Sequence, residues 1–316
     1  MTETPKTLLE AVRYFSEPKV CFETMLAVRY PDNNIACPKC GGAVGVIRSR
    51  SILQCKAKGC RKQFSVKVDT IFEDSPLGLD KWFVAVWCIA NAKNEISSYE
   101  LHRALGVTQK TAWFMLHRIR EAMRTGTFDK LRGEVESDET FIGGEAKNMH
   151  AAVRERKIRG RGAVGKAVVH GLLERGGPVI ATVVKSTEGA ELVGGVRRNV
   201  ERGATVYTDA AAGYSELCFT HIHRAIDHAT RYVEGRVHTN GLENFWSLLK
   251  RGLRGTYVQV APFHLRRYLD EQAFRFNWRK VSDAARFWGV LESVVGRRLT
   301  YRQLASIDDA GFMNLE

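Results

Sequence analysis

Three acidic residues stand where a carboxylate could do chemistry. Asp138 lies in the alternating run EVESDETFI, Asp209 ends the short apolar run 204–208, and Glu243 lies in the segment HTNGLENFWSLLKRG. If these side chains converge, their charges repel one another unless cations are present, so the grouping would favour a divalent metal site. Because the chain has 35 acidic residues, spacing by itself does not single out these three.

Four of the seven cysteines form a second group, with the spacing of metal ligands. Cys37 and Cys40 enclose two residues, and Cys55 and Cys60 follow after fourteen more. In a reducing compartment, thiolates at this spacing are better zinc ligands than disulfide partners, and four of them leave no open position, which predicts one structural Zn²⁺. A redox Cys-x-x-Cys pair is the alternative, but it gives Cys55 and Cys60 no role. The isolated cysteines are expected to be ordinary thiols: Cys21, Cys88 and Cys218.

The segment after the cysteines has the pattern of a helix-turn-helix unit. A buried helix is predicted over 79–91 and a second helix over 97–105, and Gly106 supplies the turn before a third helix capped by Thr108. In such a unit the start of the last helix enters the major groove; an ordinary helical hairpin is the alternative. Gln109, Lys110 and Thr111 are expected to read bases, and the residues expected to contact phosphates are Arg118, Arg120 and Arg124.

From about residue 132 the chain changes to short runs typical of β-strands that alternate with helices, which indicates a mixed α/β layer. Strands are predicted over 134–142, 166–173, 179–184 and 204–208, and a helix over 188–200. The stretch 145–165, rich in Gly and Arg, is expected to be a basic loop. On a helix after His238, four side chains share one face, although a solvated, salt-linked surface would give the same pattern: Glu243, Ser247, Lys250 and Arg254.

Composition narrows the class of protein. The 316 residues are 44% hydrophobic and 26% charged, which excludes disorder of the whole chain, and 48 basic against 35 acidic residues give a net charge of +13. Such a charge attracts polyanions such as nucleic acid, although a basic but unspecialised enzyme would carry it too. The longest apolar run, 82–90, is too short to cross a bilayer, and the first residues lack a secretory signal pattern. We expect a cytoplasmic protein.

The order of these pieces resembles one family. Over about residues 7–305 the chain is similar to bacterial insertion-sequence transposases that join an N-terminal zinc ribbon to a ribonuclease H-like DDE domain, of the insertion-sequence family numbered fifteen ninety-five. The segments that carry the resemblance are CPKC (37–40), GVTQKTAWFMLHRIREAM (106–123), ESDETFIGG (136–144), YTDAAAGY (207–214), HTNGLENFWSLLKRG (238–252) and APFHLRRYLDEQAFRFNWR (261–279). One stretch departs from the pattern, because Val-Gln-Val-Ala follows Tyr257 where a His is expected.

The resemblance implies a fold and a division of the chain. The expected fold class is α/β, a ribonuclease H-like mixed sheet with flanking helices, preceded by a small zinc ribbon and a helix-turn-helix segment. The implied parts are an N-terminal helix and zinc ribbon (1–75), a helix-turn-helix DNA-binding region (76–130), a catalytic domain (131–280) and a C-terminal helical tail (281–316).

The resemblance also implies which residues are catalytic. The two family Asp residues correspond to Asp138 and Asp209, the third acidic position is Glu243, and the family's Lys seven residues later is Lys250. The three carboxylates would then hold two Mg²⁺ (or Mn²⁺) ions about 3.5–4 Å apart, which clamp the attacking and leaving oxygens of a phosphoryl transfer. Lys250 is expected to contact a DNA phosphate, and Arg254 is also assigned to DNA binding.

The function implied is that of a transposase. It would bind double-stranded DNA at the terminal inverted repeats of its element, free a 3′-hydroxyl end and join that end to target DNA. Since two ends must be paired, a homo-oligomer on DNA, within the nucleoid, is expected. The alternatives are a DNA-binding regulator derived from a transposase, without catalysis, and a ribonuclease H-like nuclease that cuts RNA–DNA hybrids. The complete acidic set disfavours the regulator, and the DNA-reading head disfavours the nuclease.

Overall fold

The computed structural model describes residues 4–124, 129–143, 166–209, 212–226, 238–258 and 260–305. The chain divides into two compact units, the first made of residues 1–124 and 280–316 and the second of residues 125–279. The predicted basic loop 145–165 lies outside the described residues. Within the described ranges, no helix is both long and apolar enough to span a bilayer.

Local signals explain the helices of the first unit. Its N-terminal part contains α1 (Leu8–Tyr14), α2 (Pro18–Arg29), β1 (Val44–Ile47), β2 (Ile52–Cys55), β3 (Gln63–Phe64), α3 (Leu79–Asn91), α4 (Ser98–Leu105) and α5 (Gln109–Met123). Ser97 and Glu100 form a reciprocal capping box at the start of α4, Gly106 ends that helix with a φ of 60°, and the Thr108 side chain caps α5. The predicted helix over 79–91 and the two helices on either side of Gly106 are therefore confirmed.

The second unit is built on a five-stranded mixed sheet. Its elements are β4 (Glu134–Ile142), β5 (Ala167–Glu174), β6 (Val179–Val184), α6 (Gly189–Asn199), β7 (Thr205–Asp209), β8 (Ile222–Ile226), α7 (Asn240–Gly255) and α8 (Leu265–Asn277). The strand order is β6-β5-β4-β7-β8, with β4, β5 and β6 antiparallel and β7 and β8 parallel to β4. The predicted fold class, a mixed α/β sheet with flanking helices, is confirmed.

Strand β8 was not predicted from the sequence. Its residues, IHRAI, include a His and an Arg between the apolar positions, and it lies at the edge of the sheet, where Ile222 is 54% exposed. An edge strand pairs on one side only and needs less apolar surface than a central strand, so its hydrophobic pattern is weak.

The central strand β4 serves two packed layers. Glu136 and Asp138 point to the side covered by α7, because their carboxylates accept hydrogen bonds from residues of that helix. Ser137 and Glu139 point to the opposite side, toward α6 and the 3₁₀ segment Ala212–Phe219. Since side chains alternate along a strand, neighbouring residues of β4 belong to different layers.

Helix α7 lies close to the sheet because glycines stand at the crossing. Gly171 is paired with Asp138, and a Cβ there would lie 2.5 Å from the ring of Trp246. A Cβ on Gly241 would lie 2.4 Å from the Leu173 side chain. The buried apolar face of α7, which includes Phe245 and Trp246, therefore packs directly on β5.

The C-terminal segment returns to the first unit. It contains α9 (Asp283–Glu292) and α10 (Tyr301–Ala305). Phe287 of α9 is fully buried, and its ring contacts the rings of Phe15, Phe83 and Trp87. The division into four consecutive parts, with 281–316 as a C-terminal tail, stays a prediction, and the described residues of this segment, up to residue 305, pack within the first unit. The physical reason is the apolar face of α9, which is buried against α3.

The close approach at Gly171 gives a first prediction. Gly171→Ala forces the Trp246 ring away from β5, and we expect it to lower the free energy of unfolding by about 1–3 kcal/mol, as overpacking does. Urea denaturation followed by tryptophan fluorescence measures the change. Gly194→Ala is the matched control, because a Cβ there meets only the Arg198 guanidinium at 3.4 Å and a helix tolerates Ala well. Equal stability of both variants would show that α7 has room to move.

Candidate active site, zinc centre and nucleic-acid interface

The four predicted zinc ligands come together at one end of the β1–β2 hairpin. The Sγ atoms of Cys37 and Cys60 are 3.8 Å apart, those of Cys40 and Cys55 are 3.5 Å apart, and all four lie within 4.8 Å of one another. Tetrahedral zinc with bonds of about 2.3 Å separates its sulfur ligands by about 3.8 Å, so the four thiols fit a structural zinc ion. In the described part of the chain, no other group of three or more possible ligands is gathered this closely.

The cysteines outside this cluster behave as ordinary thiols. Burial raises the pKa of Cys21 to about 12 and that of Cys88 to about 11, so both remain protonated near neutral pH. The Cys37 thiol differs from these two. Burial also opposes its ionisation, but hydrogen bonds from the backbone N–H groups of Lys39 and Cys40 and from neighbouring thiols outweigh burial and lower its pKa to about 6. The cluster therefore contains a thiol that readily becomes a metal ligand.

The two aspartates lie at the same level on adjacent parallel strands. Glu136 of β4 pairs with Tyr207 of β7, and Asp138 and Asp209 follow two residues further along their strands. Parallel neighbours at matched positions face the same side of the sheet, about 5 Å apart at the backbone. The register thus brings both carboxylates to the side on which α7 packs.

Asp138 is partly buried among negative charges. The indole N–H of Trp246 donates a hydrogen bond of 2.8 Å to its Oδ2 atom. Burial, the largest cause, and the charges of Asp209 and Glu243 together raise the pKa of Asp138 to about 6, against the opposing effect of the Trp246 hydrogen bond. The three predicted carboxylates therefore act on one another electrostatically, although their oxygen atoms are not gathered within 4.8 Å.

Asp209 has the feature that best fits a cation. Its Oδ1 atom is buried and has no hydrogen-bond partner among the described residues. A buried carboxylate oxygen without a donor is costly, and a metal ion is one of the few groups that can satisfy it beside a second carboxylate. Hard oxygen ligands of this kind suit Mg²⁺ or Mn²⁺, so the residues present fit such a cation.

Helix α7 supplies the remaining predicted catalytic groups. Glu243 is in its first turn and exposed, and Lys250 follows two turns later and is half-buried. Burial and the charge of Arg254 lower the pKa of Lys250, while the charge of Asp138 acts in the opposite direction. Lys250 is thus close enough to Asp138 for the two charges to interact. We call Asp138, Asp209 and Glu243 the acidic site.

A buried carboxylate holds the start of α7 in place. Thr239 makes no side-chain cap to this helix, and instead the backbone N–H of Leu242 donates a 3.0 Å hydrogen bond to Glu136, which is 2% exposed. Arg175 donates to the same carboxylate at 3.1 Å and to the carbonyl oxygen of His238 at 2.7 Å. A negative charge at a helix N-terminus is stabilising, so Glu136 fixes where α7 presents Glu243. Sequence reasoning assigned no role to Glu136 or Arg175.

A second polar group lies on the opposite side of β4, and we call it the rear network: Ser137, Glu139, His170 and Tyr214. The Ser137 hydroxyl donates to the Tyr214 oxygen at 3.0 Å and lies 2.9 Å from Nε2 of His170, while the Tyr214 hydroxyl donates to Glu139. Burial raises the pKa of Glu139 to about 7 and lowers that of His170 to about 4. Sequence reasoning missed this network, although Glu139 and Tyr214 lie within the motifs that contain Asp138 and Asp209.

Comparisons with known families identify two matching segments of the chain. Residues 130–277 match the ISXO2-like transposase domain, and residues 18–63 match the transposase zinc-ribbon domain. A transposase-like protein of Haemophilus influenzae is 33% identical over 100 residues, which are 31% of this chain and 80% of that protein. The chain belongs to the ISXO2-like transposase family. A protein of transposable element ISH50 from Halobacterium salinarum is 29% identical over 261 residues, which are 77% of this chain and 87% of that protein.

In this transposase family member, the expected base-reading residues occupy the start of α5. Lys110 is exposed, and its ammonium group lies 4.9 Å from the centre of the Tyr301 ring. Gln109 donates to the Ser98 hydroxyl at 2.8 Å, and the Thr111 hydroxyl lies 2.8 Å from that of Thr108. Lys110 is therefore the most available of the three for a partner, while Gln109 and Thr111 also support the α4–α5 turn.

Arg118, which is expected from the sequence to contact a phosphate, is a buried residue in the structure. Arg118 is 4% exposed, and its guanidinium donates to the carbonyl oxygens of Leu299 at 3.0 Å and of Glu73. It also lies 4.9 Å from the centre of the Phe114 ring. Arg120 is likewise buried, whereas Arg124 and Arg254 are exposed. Residues 115–120 are all buried, so this part of α5 is enclosed on every face, and both arginines lie within it.

The zinc centre gives the second prediction. Cys40→Ser removes one of four ligands, and we expect the zinc content to fall from about one ion per chain to a small fraction, with loss of structure in the hairpin. Metal analysis after dialysis against a weak chelator measures the zinc content. Cys218→Ser, at an exposed thiol outside the cluster, should retain the zinc. Full zinc retention by Cys40→Ser would contradict a four-cysteine centre.

The buried arginine gives the third prediction. Arg118→Met keeps an unbranched apolar stem but removes the guanidinium and leaves two backbone carbonyls without their donor, and we expect a loss of about 2–4 kcal/mol in the free energy of unfolding. Arg103→Met, at an exposed position of α4, should change it by less than about 0.5 kcal/mol. Chemical denaturation measures both variants. If Arg118→Met is as stable as wild type and only DNA binding weakens, the structural role is refuted.

Proposed function

We propose that this protein is a transposase that binds the ends of its insertion sequence and catalyses metal-dependent DNA cleavage and strand transfer. The observation that carries the proposal is the matched position of Asp138 and Asp209 on adjacent parallel strands, with a buried Asp209 oxygen that has no hydrogen-bond donor among the described residues. The proposal includes the ribonuclease H-like character of the sheet and the assignment of Glu243 as the third acidic residue.

The acidic site supplies the ligands for catalysis. Asp138, Asp209 and Glu243 would hold Mg²⁺ or Mn²⁺, and two such ions, when bound, stabilise charge on the attacking and leaving oxygens of a phosphoryl transfer. The Trp246 hydrogen bond to the Oδ2 atom would hold the Asp138 carboxylate in orientation for this task. Because water and a DNA 3′-hydroxyl both attack phosphorus, one arrangement of carboxylates serves cleavage and joining alike.

Positive side chains on α7 would place the DNA strand. Lys250 and Arg254 follow Glu243 at seven and eleven residues, which puts them on the same helical face. A lysine ammonium is a compact charge suited to a backbone phosphate, so Lys250 positions the strand beside the acidic site. Glu136 and Arg175 keep this helical face in register with Asp138.

DNA recognition is assigned to the first unit. Lys110, Gln109 and Thr111 at the start of α5 would contact base edges, and the net charge of +13 would attract the duplex. Since two ends must be joined to one target, we expect a homo-oligomer on DNA.

The buried charge favours catalysis over a binding-only regulator. Placing Asp138 close to two other carboxylates disfavours its ionised form, which raises its pKa to about 6 through burial and repulsion. A protein that only binds DNA gains nothing from this cost, and an Asn would relieve it. Perturbed carboxyl groups of this kind are typical of functional sites.

The fourth prediction tests this proposal. Asp138→Asn should abolish cleavage and joining of a duplex that carries the flank of this gene, in Mg²⁺ or Mn²⁺, while binding of the duplex stays within about twofold of wild type. The readout is 3′-hydroxyl ends at a fixed boundary and their transfer to a plasmid. Glu216→Gln, at an exposed carboxylate that pairs with Arg197 at 3.8 Å, is the control and should cut normally.

Stability measurements in metal-free buffer serve to check that the Asp138→Asn variant folds. Because the pKa of Asp138 is raised in the folded protein to about 6, its ionisation destabilises the fold as the pH rises from about 4 to 6. Asp138→Asn should therefore be more stable than wild type by about 1–2 kcal/mol above pH 6, with the difference vanishing below about pH 4. If both proteins bind the flank and neither cuts it in any metal, the regulator is the better interpretation.

A further inference from the structure

The rear network lies directly behind the acidic site, on the other side of one strand. Ser137 and Glu139 are the immediate neighbours of Asp138 in β4, and their side chains point away from α7. Asp138 cannot shift along or out of the sheet without moving them. A contact that fixes the Glu139 side chain therefore also fixes the backbone of its neighbour Asp138.

Tyr214 connects this strand to the segment that follows Asp209. It lies five residues after Asp209, within the 3₁₀ segment Ala212–Phe219, and its side chain is fully buried. Its hydroxyl donates to the Glu139 carboxylate and accepts a 3.0 Å hydrogen bond from Ser137. One phenol thus joins the residues on both sides of Asp138 to the chain that leaves Asp209.

The hydrogen bonds of the network form a directed chain. Since Ser137 donates to Tyr214, it accepts from His170, whose Nε2 atom is 2.9 Å away and carries the proton in this arrangement. Tyr214 then donates to Glu139, which ends the chain as the acceptor. Every hydroxyl in the chain both donates and accepts, which leaves one arrangement of the four side chains.

The segment around Tyr214 is also held by its backbone. A Cβ on Gly189, at the start of α6, would lie 2.5 Å from the carbonyl oxygen of Gly213. The residue before Tyr214 is therefore packed against the start of α6. By contrast, the buried Oδ1 atom of Asp209 has no hydrogen-bond partner among the described residues, so the position of this carboxylate depends on its backbone.

We propose that the Tyr214–Glu139 hydrogen bond is a positioning contact that sets the spacing between Asp138 and Asp209. This inference rests on the proposed metal-binding function of the acidic site. Metal ligands must be held within about 0.5 Å of the productive geometry, and their supporting residues commonly change metal affinity or activity by 10–100-fold when altered. Tyr214 and Glu139 act through the two aspartates and are not themselves ligands.

Tyr214→Phe is the first test, because it keeps the ring and removes only the hydroxyl. Mn²⁺ binding, followed by electron paramagnetic resonance of the free ion, should weaken about tenfold, and the Mg²⁺ concentration for half-maximal cleavage should rise by a similar factor. Binding of the flanking duplex without metal should not change. This result is the fifth prediction, and its metal-binding arm does not depend on catalysis.

A matched control distinguishes a loss of carboxylate positioning from a general loss of protein stability. Tyr257 also donates a hydrogen bond to a buried glutamate, Glu271, at 2.6 Å, but it lies beyond the C-terminal end of α7. Tyr257→Phe should lose similar thermal stability and keep wild-type Mn²⁺ affinity. If both tyrosine variants weaken Mn²⁺ binding equally, or if Tyr214→Phe binds Mn²⁺ as wild type does, the positioning role is refuted.

A second pair of variants covers the case in which Tyr214→Phe does not fold. Glu139→Gln retains an oxygen that accepts from Tyr214, whereas Glu139→Met has a similar size and no comparable acceptor. The proposal requires tighter Mn²⁺ binding by the Gln variant than by the Met variant, and equal affinities overturn it. Failure of the wild-type protein to bind Mn²⁺ in a manner that depends on Asp138 would instead overturn the proposed function, and this inference with it.

Discussion

The burial of Asp138 beside two other carboxylates is the constraint on which the second unit depends. Burial, and after it the charges of Asp209 and Glu243, raise the pKa of Asp138 to about 6, which costs folding free energy when this carboxylate is ionised. The surrounding structure must therefore oppose their separation. The parallel pairing of β4 and β7 sets the level of the two aspartates, and glycines at 171 and 241 allow α7 to approach. Glu136 and Arg175 then hold the helix that carries Glu243.

Strand β4 carries the proposed metal ligand on one face of the sheet and the residues that support it on the other face. Asp138 faces α7 and the proposed metal site, whereas Ser137 and Glu139 face a closed polar network. The alternation of side chains makes both possible within three residues. Water and DNA need to reach only one face, so the supporting hydrogen bonds on the other face stay in a dry environment where they are stronger. A helix could not divide adjacent residues so cleanly.

The first unit uses a different kind of stabilisation. Its hairpin is too small to bury a substantial core, and four thiols at zinc-binding distances take over that role. The helices obtain their core from the C-terminal segment, whose Phe287 lies among rings from α1 and α3. Arg118 links the same segment to α5 by donating to the Leu299 carbonyl, so this cationic side chain is engaged within the fold.

Local spacing and motifs in the sequence were enough to predict the four clustered cysteines, the bounds of α3 and β4 and the Gly106 turn. The roles of the acidic residues come from family resemblance and stay a prediction. Only the tertiary structure decided which side chains are buried together: the burial of Arg118, the pairing of Trp246 with Asp138, the Tyr214–Glu139 contact and the return of α9 to the first unit. The physical reason is that these contacts join residues far apart in the chain, and hydrophobic periodicity reports which face of an element is buried but not what covers it.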